Sequence, residues 1–300
     1  MSGPVLRLRG QDRVLDSTLV MGVVNASPES FSDAGRYDSW DAQRSLIDSL
    51  VESGADVLDV GGQSAITNQP EIDAALEVER VLPIVEWIRS THPGVLVSVD
   101  TYKPPVVSAV LEAGAHIIND VSGLLYPEVA DMCAAVDAGL VVMHTKARPK
   151  QRMQSVDLYS DVVTEVEDFL VDMMQRAQAH GVDRDCLILD PGPDFAKTPR
   201  QTLDVLRNVE RFRALGRPLL LALSRKDFLG AITGRTPRGR GPATDAALAF
   251  FAWTPGAIVR VHDVRAARDV IAVVDALAGR LDIPHDYLLP DELRHEPRDA

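Results

Sequence analysis

A closed (β/α)8 barrel, an α/β fold in a single domain, is what this sequence predicts, on three observations. Short apolar runs recur along the chain, a segment of helical periodicity follows most of them, and nearly every run ends in a polar or ionisable residue. The first run, Leu19–Val24, leads to the helical pattern Ser39–Glu52, and Asp56–Val60 leads to Ala74–Arg89. Val95–Val99 precedes Pro105–Glu112; His116–Ile118 and Leu140–Met143 follow, the latter ahead of Val162–Ala179. Leu187–Leu189 precedes Thr202–Arg213, Leu219–Leu223 precedes Thr244–Trp253, and Ile258–Val261 precedes Val264–Ala278. Runs this apolar are buried on both faces, as parallel strands under helices are. Alternation of strand and helix implies parallel strands with right-handed crossovers, and about eight units is the count of a (β/α)8 barrel. A doubly wound sheet is the runner-up, but no Gly-x-Gly-x-x-Gly follows the first run.

The barrel is expected over residues 17–283, with an N-terminal extension at 1–16 and a C-terminal tail at 284–300. A chain of 300 residues, 46% hydrophobic and 25% charged, can bury a full core. Its 31 basic and 44 acidic residues give a net charge of −13, which argues against nucleic acid or an anionic membrane as partner. Cys133 and Cys186 match no metal or redox spacing and read as core residues of a reducing compartment. With no signal-like segment at the start and no apolar stretch near the ~18 residues of a membrane span, the expected location is the cytoplasm.

The residues that close the runs carry the function. In order they are Asn25; Gly61, Gly62 and Gln63; Asp100; Asn119 and Asp120; His144; Asp190; Ser224, Arg225 and Lys226; and Arg260 with His262. One Asp or Asn after a strand is commonly a turn former or a cap. A whole ring of them converges on the face where barrel active sites are built. Asp100, Asn119 and Asp190 offer acceptors and an amide to a flat heterocycle with several N–H donors. Lys226, Arg260 and His262 come from the last two strands, where barrels commonly hold phosphate. Zinc-hydrolase and nucleophile-elbow motifs are absent from the sequence. Trp87 and Trp253 read as helix packing, His92 and His180 as solvated turn residues, and the Arg235, Arg238 and Arg240 run as a solvated loop.

Taken in order, these motifs resemble the dihydropteroate synthase family of pterin-binding barrels. MGVVNASPESFSDAG at Met21–Gly35 looks like the family's first loop, and DVGGQS at Asp59–Ser64 and SVDTYKP at Ser98–Pro104 follow. GAHIINDVSGL at Gly114–Leu124, MH at Met143–His144, LDPGPDFAK at Leu189–Lys197, LSRK at Leu223–Lys226 and RVHDV at Arg260–Val264 complete the series. The resemblance implies that Asp100, Asn119, Asp190 and Lys226, with Phe195, hold a pterin. It implies that Asn25, Arg260 and His262 hold its diphosphate, with Mg2+ at Asn25. The implied reaction displaces diphosphate from 6-hydroxymethyl-7,8-dihydropterin diphosphate by the amine of p-aminobenzoate. Arg260, His262 and Mg2+ would stabilise the leaving group, with Lys226 beside them; Asp190 and Asp33 would stabilise the cation, under a loop carrying Phe31 and Ser32. A homodimer is implied as well.

The departures from the family pattern concentrate on the second substrate. Where the family has Glu-Ser-Thr-Arg-Pro, this chain has Gln63, Ser64, Ala65, Ile66 and Thr67. Where a Ser commonly meets the p-aminobenzoate carboxylate, it has Asp227, and two family glycines become Asp194 and Ala196. Ile66 removes a guanidinium and Asp227 adds a like charge beside a carboxylate. The expectation is a pterin diphosphate site with synthase activity weak, absent or redirected. The alternatives are an active synthase and a non-catalytic pterin-binding or regulatory protein. Methyltetrahydrofolate methyltransferases share the barrel, but the SFSD loop and the SRK motif point away from them.

Overall fold

The structure, a computed structural model, describes residues 3–26, 39–63 and 70–295. Asp33, Ala65 and Ile66, together with Phe31 and Ser32, lie outside the described residues. Eight parallel strands close a barrel: β3 (Leu19–Asn25), β4 (Val57–Gly61), β5 (Leu96–Asp100), β6 (Ile117–Asp120), β7 (Gly139–Met143), β8 (Leu187–Asp190), β9 (Leu219–Leu221) and β10 (Ala257–Val261), with β10 pairing back onto β3. The helices outside it are α1 (Trp40–Glu52), α2 (Ala74–Thr91), α3 (Pro104–Glu112), α4 (Glu128–Ala134), α5 (Val162–Ala179), α6 (Pro199–Arg207), α7 (Val209–Arg213), α8 (Asp227–Thr233), α9 (Gly241–Ala252) and α10 (Val264–Leu277). The (β/α)8 barrel expected from the alternation is therefore what forms.

Two apolar layers hold it together. Val20, Leu58, Val97, Ile118, Val142 and Val259 turn outward from the strands and join the buried helix faces, such as Val81, Ile84 and Ile88 of α2. The helices start where a side-chain oxygen accepts an orphan N–H of the first turn: Ser39, Asp73, Asp161 and Asp263 do so, and Thr198 forms a capping box with Gln201. Asp263 matters most for position, because its cap fixes the chain reversal that leaves His262 at the barrel mouth.

The inward layer at the opposite end is wholly apolar. Leu19, Met21, Val57, Ile117, Val141, Ile188, Leu220 and Ile258 meet Leu6, Leu8 and Leu15 there. Those last three come from residues 1–16, which do more than extend the chain. Within them β1 (Val5–Leu8) and β2 (Gln11–Val14) pair as an antiparallel hairpin across the barrel floor. Buried Arg217 secures it, donating to the Val5 carbonyl at 2.6 Å and to Asp185 at 2.6 Å. Gly139 lies directly beneath it, and a Cβ there would lie 2.7 Å from Leu8 Cδ2, so that the Leu8 side chain would have to shift.

Several smaller expectations meet mixed outcomes. Cys133 and Cys186 are free and buried, and Trp87 packs edge-on against Trp40. Trp253, by contrast, sits just past the end of α9 and is exposed. His92 is bonded to Asp48 at 2.8 Å and half-buried, not solvated. No helix among the described residues is long and apolar enough to cross a membrane.

Candidate active site

Polar residues gather at the carboxyl ends of the strands, and the best-connected of them is Asp59. It is fully buried one pleat below the end of β4. Its carboxylate accepts from Ser98 Oγ at 2.6 Å, from Asn119 Nδ2 at 3.2 Å and from Arg260 Nε at 2.6 Å. Arg260 reaches on to Asp100 at 3.3 Å. Asp59 thus ties β4, β5, β6 and β10 together beneath the mouth. Because Asn119 spends its amide N–H on Asp59, its Oδ1 is left buried with no partner among the described residues. A buried acceptor without a donor is costly, so Asn119 holds an unused capacity to receive an N–H.

Asp190 and Asp100 complete the acceptor side. Asp190 is buried and takes one bond, from the Gly192 N–H at 2.7 Å. Burial raises its pKa to about 6, against the Gly192 N–H and Lys226, which lower it. Asp100 is pushed up to about 7, by burial first, with the Asp59 charge adding and Arg260 opposing. Both carboxyls would be more comfortable with N–H donors in front of them.

The opposite wall is cationic. His262 Nδ1 lies 3.0 Å from Ser224 Oγ. Burial, followed by Arg225, Arg260 and Lys226, lowers the His262 pKa to about 3, so the ring is neutral beside three fixed positive charges. Lys226 holds its ammonium 4.2 Å above the centre of the Phe195 ring. Phe195 is set by the loop after β8. There the buried ammonium of Lys197 gathers Gly192 O at 2.8 Å, Phe195 O at 3.1 Å and His144 Nδ1 at 2.8 Å. Only glycine fits at 192, where φ is +64° and a Cβ would lie 2.0 Å from the His144 carbonyl oxygen.

The structure therefore brings Asp100, Asn119, Asp190, Lys226, Phe195, Arg260 and His262 to one mouth, with half-buried Asn25 at the end of β3 on its rim. Two strand-end residues have other duties. Asp120 accepts from Ser122 N at 2.7 Å and forms a turn. His144 is buried against Phe169 and Tyr159, its pKa lowered to about 2 by burial and then by Lys197. Asp59, the centre of the network, is not among the residues that close the apolar runs, because it lies inside one. The sequence does hold a signal for it: a lone carboxylate within a wholly buried strand must have partners.

Two readings of the loops need correction. Arg240 is not part of a solvated run. It is buried, donating to the carbonyls of Arg225 at 2.8 Å and Arg235 at 2.9 Å and to Asp227 Oδ1 at 2.9 Å, while Arg235 and Arg238 are exposed. The guanidinium fits because Gly230 has no side chain; a Cβ there would lie 2.2 Å from Arg240 Nη2. Asp227 is consequently no uncompensated negative charge, and the repulsion expected of it toward a substrate carboxylate is largely cancelled by Arg240.

Fold and site together define a barrel mouth that pairs carboxylates with cationic side chains, suited to a heterocycle bearing an anionic group. The family described as "Pterin binding enzyme" matches residues 21–262, and the chain belongs to it. A dihydropteroate synthase of Bacillus subtilis is 36% identical over 271 residues, covering 90% of this chain and 92% of that protein. The Burkholderia cenocepacia dihydropteroate synthase solved with 7,8-dihydropteroate superposes with a TM-score of 0.82 at 34% identity, over 93% of this chain and 98% of that one. The Xanthomonas albilineans enzyme solved with 4-aminobenzoic acid gives 0.82 at 36% identity, over 91% and 98%.

Proposed function

We propose that this protein catalyses dihydropteroate synthase chemistry, joining the methylene of a dihydropterin methyl diphosphate to an arylamine with loss of diphosphate. The observation that carries the reading is the division of the mouth. Asp190 and the unused Asn119 Oδ1 offer acceptors, Asp100 meets Arg260 between the two sides, and Arg225, Lys226 and Arg260 surround the neutral His262 ring with positive charge. Asp190 would take paired N–H groups of the pterin and so favour its own ionised form. Asn119 would accept a further N–H. The diphosphate would lie toward His262, with the guanidinium of Arg260 already aligned by Asp59.

In the reaction the bond from the pterin methylene to the diphosphate oxygen breaks, and the electron pair leaves with the diphosphate. The amine nitrogen then bonds to the methylene and gives up a proton to solvent. The cationic wall stabilises the departing charge, and the Asp190 carboxylate stabilises the pterin cation. Asn25 fits the Mg2+ implied by the family resemblance. It stands half-buried at the end of β3 and carries one hard amide oxygen. An ion there would be held chiefly by phosphate oxygens and water, as Mg2+ commonly is, and would supply charge neutralisation when bound.

The weak, absent or redirected activity expected from the loop changes rested partly on Asp227, and Arg240 removes that part. The similarity to named synthases favours a working enzyme. A homodimer remains part of the proposal, supported by exposed Phe250, Val273 and Leu277 on α9 and α10; sedimentation against concentration tests it. For the activity, the test is diphosphate release from the dihydropterin methyl diphosphate with Mg2+, with and without 4-aminobenzoate. Release that requires the amine supports the proposal, and none with any arylamine refutes it.

A further inference from the structure

An amide side chain can meet a ligand in two ways, because it carries an acceptor oxygen on one side and N–H donors on the other. For Asn119 the choice is made from below. Asp59 and Ser98 are register partners on β4 and β5, and Asn119 stands two residues beyond Ile117, the partner of Ser98 on β6. Asn119 is therefore one inward-facing layer nearer the mouth than Asp59. Asp59 and Ser98 are fully buried, and Asn119 nearly so.

Both oxygens of Asp59 are committed to donors. Oδ1 accepts from Ser98 Oγ at 2.6 Å, and Oδ2 accepts from Arg260 Nε at 2.6 Å as well as from Asn119 Nδ2 at 3.2 Å. A carboxylate so occupied shows only lone pairs to Asn119. Turning the amide over would set two acceptor oxygens against each other in a buried place, which is costly. The amide N–H is pinned toward Asp59. Oδ1, on the opposite side and without a partner among the described residues, is the atom left for a ligand.

We infer that Asp59 is a positioning residue that sets ring specificity through Asn119: by fixing the amide it makes this position read a donor, and so selects a 2-amino ring over its 2-oxo analogue. The inference rests on the pterin reading above and deepens it by naming the group of the ring that is chosen. A pterin carries a ring N–H and an amino group side by side. Asp190 takes the ring N–H with one amino hydrogen, and the second amino hydrogen goes to Asn119 Oδ1. A lumazine has a carbonyl in place of the amino group and turns a lone pair to the same oxygen.

The test measures, by calorimetry, binding of 6-hydroxymethyl-7,8-dihydropterin and of the corresponding dihydrolumazine to wild type, Asp59→Leu and Asp59→Asn. Wild type should prefer the pterin. Asp59→Leu leaves the amide free to turn, and the preference should narrow by about tenfold, the worth of one hydrogen bond, chiefly because the lumazine binds more tightly. A residue of structural importance alone would weaken both ligands and give no such gain. Asp59→Asn loses the charge but keeps an acceptor beside Asn119, since the Arg260 N–H holds the new amide oxygen on that side. It should keep the preference. In an Asn119→Ala background, Asp59→Leu should leave the preference where it is. Should Asp59→Leu fail to fold with Arg260 left unpaired, Asp59→Leu with Arg260→Met removes both charges and carries the same comparison. A wild type that binds both rings equally, an unchanged preference in the leucine variant, or an equal narrowing in Asp59→Asn would overturn the role of Asp59. Failure of the wild-type protein to bind either ring would instead overturn the pterin reading beneath it.

Discussion

The floor and the mouth of this barrel are built from the same strands by opposite rules. At the floor, Leu19, Val57, Ile117 and Ile188 point inward against Leu6, Leu8 and Leu15 in an apolar layer. At the mouth, β3, β5, β6 and β8 carry Asn25, Asp100, Asn119 and Asp190 at or next to their ends, and the pKa values of Asp100 and Asp190 are raised. One end holds the barrel closed through burial of apolar surface. The other keeps polar groups partly unsatisfied and is held in shape by a few charged contacts, above all Asp59 with Arg260. The difference teaches where substitutions should register: stability at the floor, binding at the mouth, and both only where the mouth network is itself structural.

Arg260 is that exception, and it should show the largest effect. Arg260→Met strips the guanidinium from Asp59 and Asp100, and breaking a buried pair in this way costs about 3–5 kcal/mol. Urea denaturation measures it; the double variant Asp59→Asn with Arg260→Met should recover much of the loss. A floor residue comes next. Leu6→Ala should destabilise by about 2–4 kcal/mol through lost burial and the cavity left behind, without changing pterin affinity. If pterin affinity fell as far as stability, the two ends would not be separable.

Asp190→Asn should do the reverse, weakening pterin binding by about 1.5–3 kcal/mol, the worth of a charged hydrogen bond, with stability retained. The smallest effect is that of pH. With its pKa raised to about 6, Asp190 in the empty site stays protonated where the unfolded chain is ionised. Stability from this group is therefore fully present below the ordinary carboxylate range and is lost as pH rises through the folded value. A ligand that needs the carboxylate behaves oppositely, so pterin affinity should climb by up to about tenfold per pH unit below that value. Asp190→Asn should flatten the slope, and calorimetry at several pH values would show a persistent slope if another group were responsible.

Much of this architecture is legible in the sequence. Apolar runs of strand length separated by helical periodicity leave few folds other than a barrel, and the residue after each run marks the mouth. Four features escape such a reading, each for a physical reason. Leu6 and Leu8 alternate over only four residues beside the polar strand Gln11–Val14, so their hairpin reads as an extension. Asp59 faces the mouth from one pleat below the strand end, where a rule that looks only past the run does not reach. Arg240 finds Asp227 across a loop whose path depends on Gly230 having no side chain, and Asp194 finds the start of α8 through a left-handed turn. Such contacts depend on loop conformation, which hydrophobic patterning does not encode.

The central claim is that the mouth joins a heterocycle site to an anion site. Calorimetric titration with 6-hydroxymethyl-7,8-dihydropterin and with its diphosphate, both in Mg2+, tests it most directly, using wild type and His262→Ala. The account predicts that both ligands bind, that the diphosphate binds much more tightly, and that His262→Ala removes most of that difference while leaving the alcohol unaffected. Equal affinities for the two ligands in the wild-type protein, or binding of neither, would contradict it.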